Sequence, residues 1–195
     1  MRRWMLLAGA AAAVAVSVTV LWPREQAPVL EPERAALLAE AGATIPRNRP
    51  SGKVHEVELV AAPGTVQLLD GRPLDVWAYN GQVPGPTIRA RAGDKLRVRL
   101  RNELPQPTTI HWHGLRLPNG MDGVPGVTQP PIASGASFTY EFVLPDAGTF
   151  WYHPHVRGSE QVERGLHGVL IVEPRDDKPR ERELVWLLDD WRLAE

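Results

Sequence analysis

The feature that most constrains this chain is a two-residue alternation of apolar and polar side chains, recurring between turn residues. Lys95-Leu96-Arg97-Val98-Arg99-Leu100-Arg101 is its cleanest stretch. Every second side chain there is apolar, so an extended strand would bury one face and solvate the other. Residues 54–60 and 74–79 alternate in the same way, and Asp70-Gly71, Asn80-Gly81 and Gly93-Asp94 supply turns. Val83-Pro84-Gly85-Pro86 reads as a rigid loop leading through 87–91 to the turn at Gly93. The pattern predicts further strands at 108–113, 137–143, 149–152 and 168–172. The 17 glycines and 19 prolines suit many short strands joined by turns rather than helices. The expected fold class is all-β, a sandwich or barrel.

The ends read differently. Arg2 and Arg3 precede an uncharged apolar run over 4–22, the order of an export signal. That run is also about the ~20 residues a membrane-spanning helix needs, so residues 1–22 read as a signal peptide or a membrane anchor. The paired arginines loosely resemble a twin-arginine signal, although the preceding serine is missing. Either reading places the protein in a periplasmic or extracellular compartment. Residues 23–50, rich in Pro, Ala and charge, read as a linker with a short helix near 33–40. The β domain is expected over 51–174. Past a charged hinge, the apolar run 183–191 begins a new strand that needs a partner sheet, so 183–195 is expected to open a second domain cut short in this sequence.

Composition removes several function classes. Twenty-two basic and 23 acidic residues leave a net charge of −1, with no global basic field to draw nucleic acid. The arginines between 89 and 101 alternate with apolar residues, which fits an exposed sheet face better than a nucleic-acid patch. There is no cysteine, which excludes thiolate chemistry, Cys-based zinc and iron–sulfur sites, and a blue-copper centre.

Four of the six histidines form two pairs, His111-Trp112-His113 and His153-Pro154-His155. Alternate residues of a strand share a face, so each pair projects two imidazoles side by side. Two such strands brought together would gather four rings, a donor set suited to copper, zinc, iron or nickel. A single His-x-His arises by chance in surface or core strands. Two pairs in strand-turn context point instead to metal, because crowding four rings without one costs on the order of a few kcal/mol in desolvation. His167 reads as structural, His55 as a solvated-face residue, and Met121 as packing. Trp112 and Trp151 are expected to pack around the imidazoles and exclude water.

These motifs carry a family resemblance. Val83-Pro84-Gly85-Pro86, His111-Trp112-His113-Gly114 and Trp151-Tyr152-His153-Pro154-His155 resemble, in order and spacing, the first domain of multicopper oxidases, which include laccases and bacterial copper-efflux oxidases. Asp146-Ala147-Gly148-Thr149-Phe150 and residues 165–172 support the likeness, and Leu188-Asp189-Asp190-Trp191 is similar to the opening of the family's second domain. The resemblance spans Lys53 to the end. It implies a cupredoxin-like Greek-key β-sandwich or barrel that supplies half of a trinuclear copper site, where dioxygen is reduced to water. By motif position His111 would ligate the type 2 copper, and His113, His153 and His155 the type 3 pair. Asp122 matches a family carboxylate implicated in proton delivery, and it also fits a plain turn aspartate before Gly123.

The blue copper and the other four ligands would come from downstream cupredoxin domains, with phenolic or metal-ion electron donors as substrates. The chain alone is not expected to be active. The alternative is an exported cupredoxin-like module that binds copper without turnover.

Overall fold

The computed structural model describes residues 50–67, 71–176 and 182–191. The segments read as export signal and linker lie outside the described residues. Two four-stranded sheets form from the alternating runs. The first is ordered β2 (Pro73–Tyr79), β1 (Val54–Gln67), β4 (Lys95–Asn102), β6 (Ser137–Val143). The second is ordered β3 (Gly85–Arg91), β8 (Gly168–Glu173), β7 (Gly148–His153), β5 (His111–His113). β1 pairs with β4 and β3 with β8 in parallel, and the other pairs are antiparallel. Such parallel neighbours require connections that cross between the sheets, which makes a sandwich rather than a meander.

The core lies between the sheets. On β4, Leu96, Val98 and Leu100 are fully buried against Leu59, Tyr140, Phe142 and Leu170. Each such leucine contributes about 1.5–3 kcal/mol relative to an exposed one. The intervening arginines face outward and form the expected solvated face: Arg97 bridges Glu56 at 2.5 Å and Glu141 at 2.6 Å. Arg101 pairs with Glu103, and Arg89 with Glu173 and Glu183.

Several elements differ from the sequence reading. The strand expected over 108–113 shortens to His111–His113, with Thr108 held in an isolated bridge to Ile132. Between His155 and β8, where only a loop was expected, lies a short helix, α1 (Gly158–Glu163). It is six residues long and enters from Arg157 at φ 45°, so it shows too little periodicity to be read from sequence. His55 does not simply face solvent. Its Nε2 lies 2.6 Å from the carboxylate of Asp94, which is 3% exposed and also accepts from the Ser51 hydroxyl. Residues 182–191 join no sheet ladder. Among the described residues no helix is long and apolar enough to cross a membrane, and residues 4–22 are not among them.

Candidate metal centre

β5 and β7 are neighbours at one edge of the second sheet, and their register sets the site. His111 sits directly opposite His153, Trp112 opposite Tyr152, and His113 opposite Trp151. Alternation then divides the side chains by face. Trp112 and Tyr152 point into the sandwich, both fully buried, and Trp112 packs edge-on to Tyr140 and Phe142. His111, His113 and His153 take the other face, and His155, two residues beyond the end of β7, joins them. Their ring centroids lie 5.3 Å (111–153), 4.5 Å (111–155), 5.5 Å (113–153) and 5.4 Å (153–155) apart. Side-chain nitrogens of His111, His153 and His155 all fall within 4.8 Å of one another. His153 is buried, His111 half-buried, and His113 and His155 are exposed, so the cluster opens on one side.

The two tryptophans separate here. Trp151 stacks on His153 at 3.9 Å and lies 5.0 Å from His113, so it walls the imidazoles as expected. Trp112 does not, because the residue between two outward histidines must face inward; it is a core residue.

Backbone carbonyls fix which ring nitrogen is free. A carbonyl oxygen only accepts, so a ring nitrogen beside one must carry the proton. His111 Nδ1 lies 2.9 Å from the Asp122 carbonyl and His153 Nδ1 lies 3.0 Å from the Pro154 carbonyl. Both rings therefore offer Nε2 toward the shared space. His153 Nε2 lies 3.3 Å from His113 Nδ1. Two nitrogens bound at ~2.0 Å to one ion at a near-tetrahedral angle stand about 3.3 Å apart, so this spacing fits a shared ion. Four imidazoles are also the donor chemistry that copper takes.

Asp122 reaches the site through a glycine. It closes a short 3-10 turn over Asn119–Met121, its N–H donating to the Asn119 carbonyl. Gly123, at φ 73°, lets the backbone pass against the Ile110 carbonyl at the start of β5. That approach sets the Asp122 carbonyl on His111, and the Asp122 carboxylate lies 3.2 Å from the same Nδ1 with its side chain 30% exposed. Met121 lies against β6, where its sulfur accepts from the Glu141 N–H at 3.4 Å. His167 is buried outside the cluster, its Nε2 3.5 Å from Asp189, in keeping with a structural role.

Burial drives the His153 pKa down to about 4, with His111, His155 and His113 adding to the fall and the Pro154 carbonyl opposing it. His155 is lowered too, by burial first and then by His111. Both are neutral near pH 7, the form that binds metal. The unfolded chain protonates His153 near 6.5 and the folded chain only near 4, so the unfolded state takes the extra proton in between. The metal-free chain should therefore lose on the order of 1–3 kcal/mol as pH falls from 6.5 to 4. Urea midpoints measured across that window should fall less in His153→Asn; equal falls in both would remove His153 as the cause.

Comparison with known proteins decides the family. The multicopper oxidase family model matches residues 61–177, more than half of the chain. The chain belongs to the multicopper oxidase family. Copper resistance protein A of Pseudomonas syringae pv. tomato is 42% identical over 125 residues, covering 63% of this chain and 20% of that protein. Dihydrogeodin oxidase of Aspergillus terreus is 42% identical over 153 residues, covering 76% and 25%. The crystal structure of a multi-copper oxidase from Pseudomonas thermotolerans matches with a TM-score of 0.62 and 52% identity, covering 64% of this chain and 30% of that one. The fold of this multicopper oxidase domain is accordingly the expected cupredoxin-like β-sandwich. The chain spans about a fifth to a quarter of the length of these curated relatives.

Proposed function

We propose that this chain supplies half of a trinuclear copper site in a dioxygen-reducing oxidase. His111 holds the type 2 copper and His113, His153 and His155 the type 3 pair. The convergence of four imidazoles on one open face carries this reading. Copper bound there supplies the redox chemistry that reduces dioxygen to water. The protein's own part is to hold neutral imidazoles in fixed orientation, with Trp151 walling the type 3 side and Asp122, partly solvent-exposed and touching His111, passing protons inward.

Downstream cupredoxin domains complete the cluster and bring the blue copper that this cysteine-free chain lacks. Residues 183–195 open the first of them. The electron donors of the complete protein are phenols or metal ions; among its relatives, one is named for copper resistance and another for the oxidation of dihydrogeodin. The basic-then-apolar start over 1–22 places the protein outside the cytoplasm, periplasmic or extracellular, with residues 4–22 either cleaved or left as an anchor.

The second reading is an exported copper-binding module without turnover, for which the four clustered imidazoles alone would suffice. For the 195-residue chain both readings expect Cu(II) uptake without the intense charge-transfer colour of a copper–thiolate bond. His111→Ala combined with His153→Ala should cut copper affinity by at least tenfold in a calorimetric titration. Uptake unchanged in that variant would remove the four-ligand assignment. Oxygen consumption by the same chain joined to its downstream domains separates the oxidase from the passive module.

A further inference from the structure

The ladder between β5 and β7 stops short of His155. Its register pairs His111 with His153, and continuing it would set Ile110 opposite Pro154 and Thr109 opposite His155. The Ile110–Pro154 step cannot form. Pro154 has no N–H to give, and the Ile110 N–H is already donated to the Tyr140 hydroxyl at 2.8 Å. The Thr109 side chain takes over instead. Its Oγ1 accepts the His155 N–H at 3.3 Å, from a residue that is fully buried.

A second link lies beside the first. Gln161 on α1, fully buried, donates through Nε2 to the Pro107 carbonyl at 2.9 Å and accepts from the Thr108 hydroxyl at 2.7 Å. The carbonyl can only accept, so it fixes which way the amide points. The segment that carries His155 is thus tied on both sides to residues 107–109, which lead into His111. His155 is exposed, yet its ring sits 4.5 Å from His111, the shortest spacing among the four.

Resting on the copper reading above, we infer that Thr109 is a positioning residue for His155, extending by its side chain the strand pairing that the backbone cannot continue, with the Gln161 amide bracing the same span. Groups that orient a metal ligand typically change affinity by about 10- to 100-fold when lost. Thr109→Val keeps the shape, removes the acceptor and leaves the His155 N–H unpaired.

The test uses the 195-residue chain titrated with Cu(II), followed by calorimetry and by electron paramagnetic resonance of the bound ion. Thr109→Val should weaken uptake about tenfold or more and alter the nitrogen couplings of the Cu(II) spectrum, while Thr109→Ser, which keeps the hydroxyl, restores both. In a His155→Ala background the valine substitution should have no further effect on affinity, because the ligand that it positions is gone. Thr109→Ala carries the same expectations if the valine variant does not fold. A spectrum and affinity unchanged by loss of the hydroxyl, or an equal loss in the His155→Ala background, would overturn the role of Thr109 while leaving the copper site standing. A wild-type chain that takes up no copper would overturn the copper reading and this inference with it.

Discussion

Gly168→Ala should cost the chain its stable fold, lowering the melting temperature by about 10 °C or more. A Cβ built on Gly168 lands within the phenol ring of Tyr152, the residue directly across from it in the β7–β8 ladder. That ring has nowhere to go. It is fully buried, 5.4 Å from the ring of Tyr79 and 5.8 Å from that of Trp112, and its hydroxyl is donated to the Pro86 carbonyl at 2.7 Å. Gly85, which pairs with Gly168, is also crowded, since a Cβ there would stand 2.9 Å from the Tyr152 hydroxyl oxygen. Overpacking of this kind costs ~1–3 kcal/mol and more where the neighbours cannot yield, and ~3 kcal/mol moves a domain of this size by about 10 °C. Because Tyr152 immediately precedes His153, the same shift should disturb the histidine cluster. Combining Gly168→Ala with Tyr152→Ala should be far less than additive in thermal melts. Melting at the wild-type temperature in the single variant would show that the ring is free to move.

Gly123→Ala should damage the copper site more than the fold. Gly123 has φ 73°, and a Cβ there would collide with the Ile110 carbonyl, a backbone group that cannot swing aside. The left-handed conformation alone costs alanine about 1–2 kcal/mol. Relieving the collision must move either the 119–123 turn or the start of β5, and both moves break the bond from His111 Nδ1 to the Asp122 carbonyl. Copper affinity should fall by about tenfold or more, as expected for loss of a group that orients a ligand. Gly126 makes the matched control: its φ is 75° but its Cβ position is open, so Gly126→Ala should carry the backbone cost and leave copper affinity intact. Equal copper affinities for the two variants would disconnect the Gly123 turn from the site.

How much of this was legible in the sequence depends on the range over which each feature is set. The alternation in 95–101 and 137–143 found β4 and β6 within a residue, because a half-buried strand writes its period into adjacent positions. The two His-x-His pairs gave the donor set, and the β5–β7 register brings His111, His113 and His153 onto one face, with His155 joining from just beyond β7. What stayed hidden was set by partners far along the chain. Trp112 could be assigned to the core only once its neighbours pointed outward. The pairing of His55 with Asp94 joins residues 39 apart, and nothing local to either announces it. The brace from Gln161 to Pro107 and Thr108 depends on a six-residue helix with no readable period.

The most direct test of the central claim, that four imidazoles share one copper-binding space, is nuclear magnetic resonance of the histidine ring nitrogens during a substoichiometric Cu(II) titration of the 195-residue chain. Signals of His111, His113, His153 and His155 should broaden together through their proximity to one paramagnetic ion, while His55, on β1 in the other sheet, stays sharp. Broadening confined to one His-x-His pair, or spread evenly over all six histidines, would contradict it.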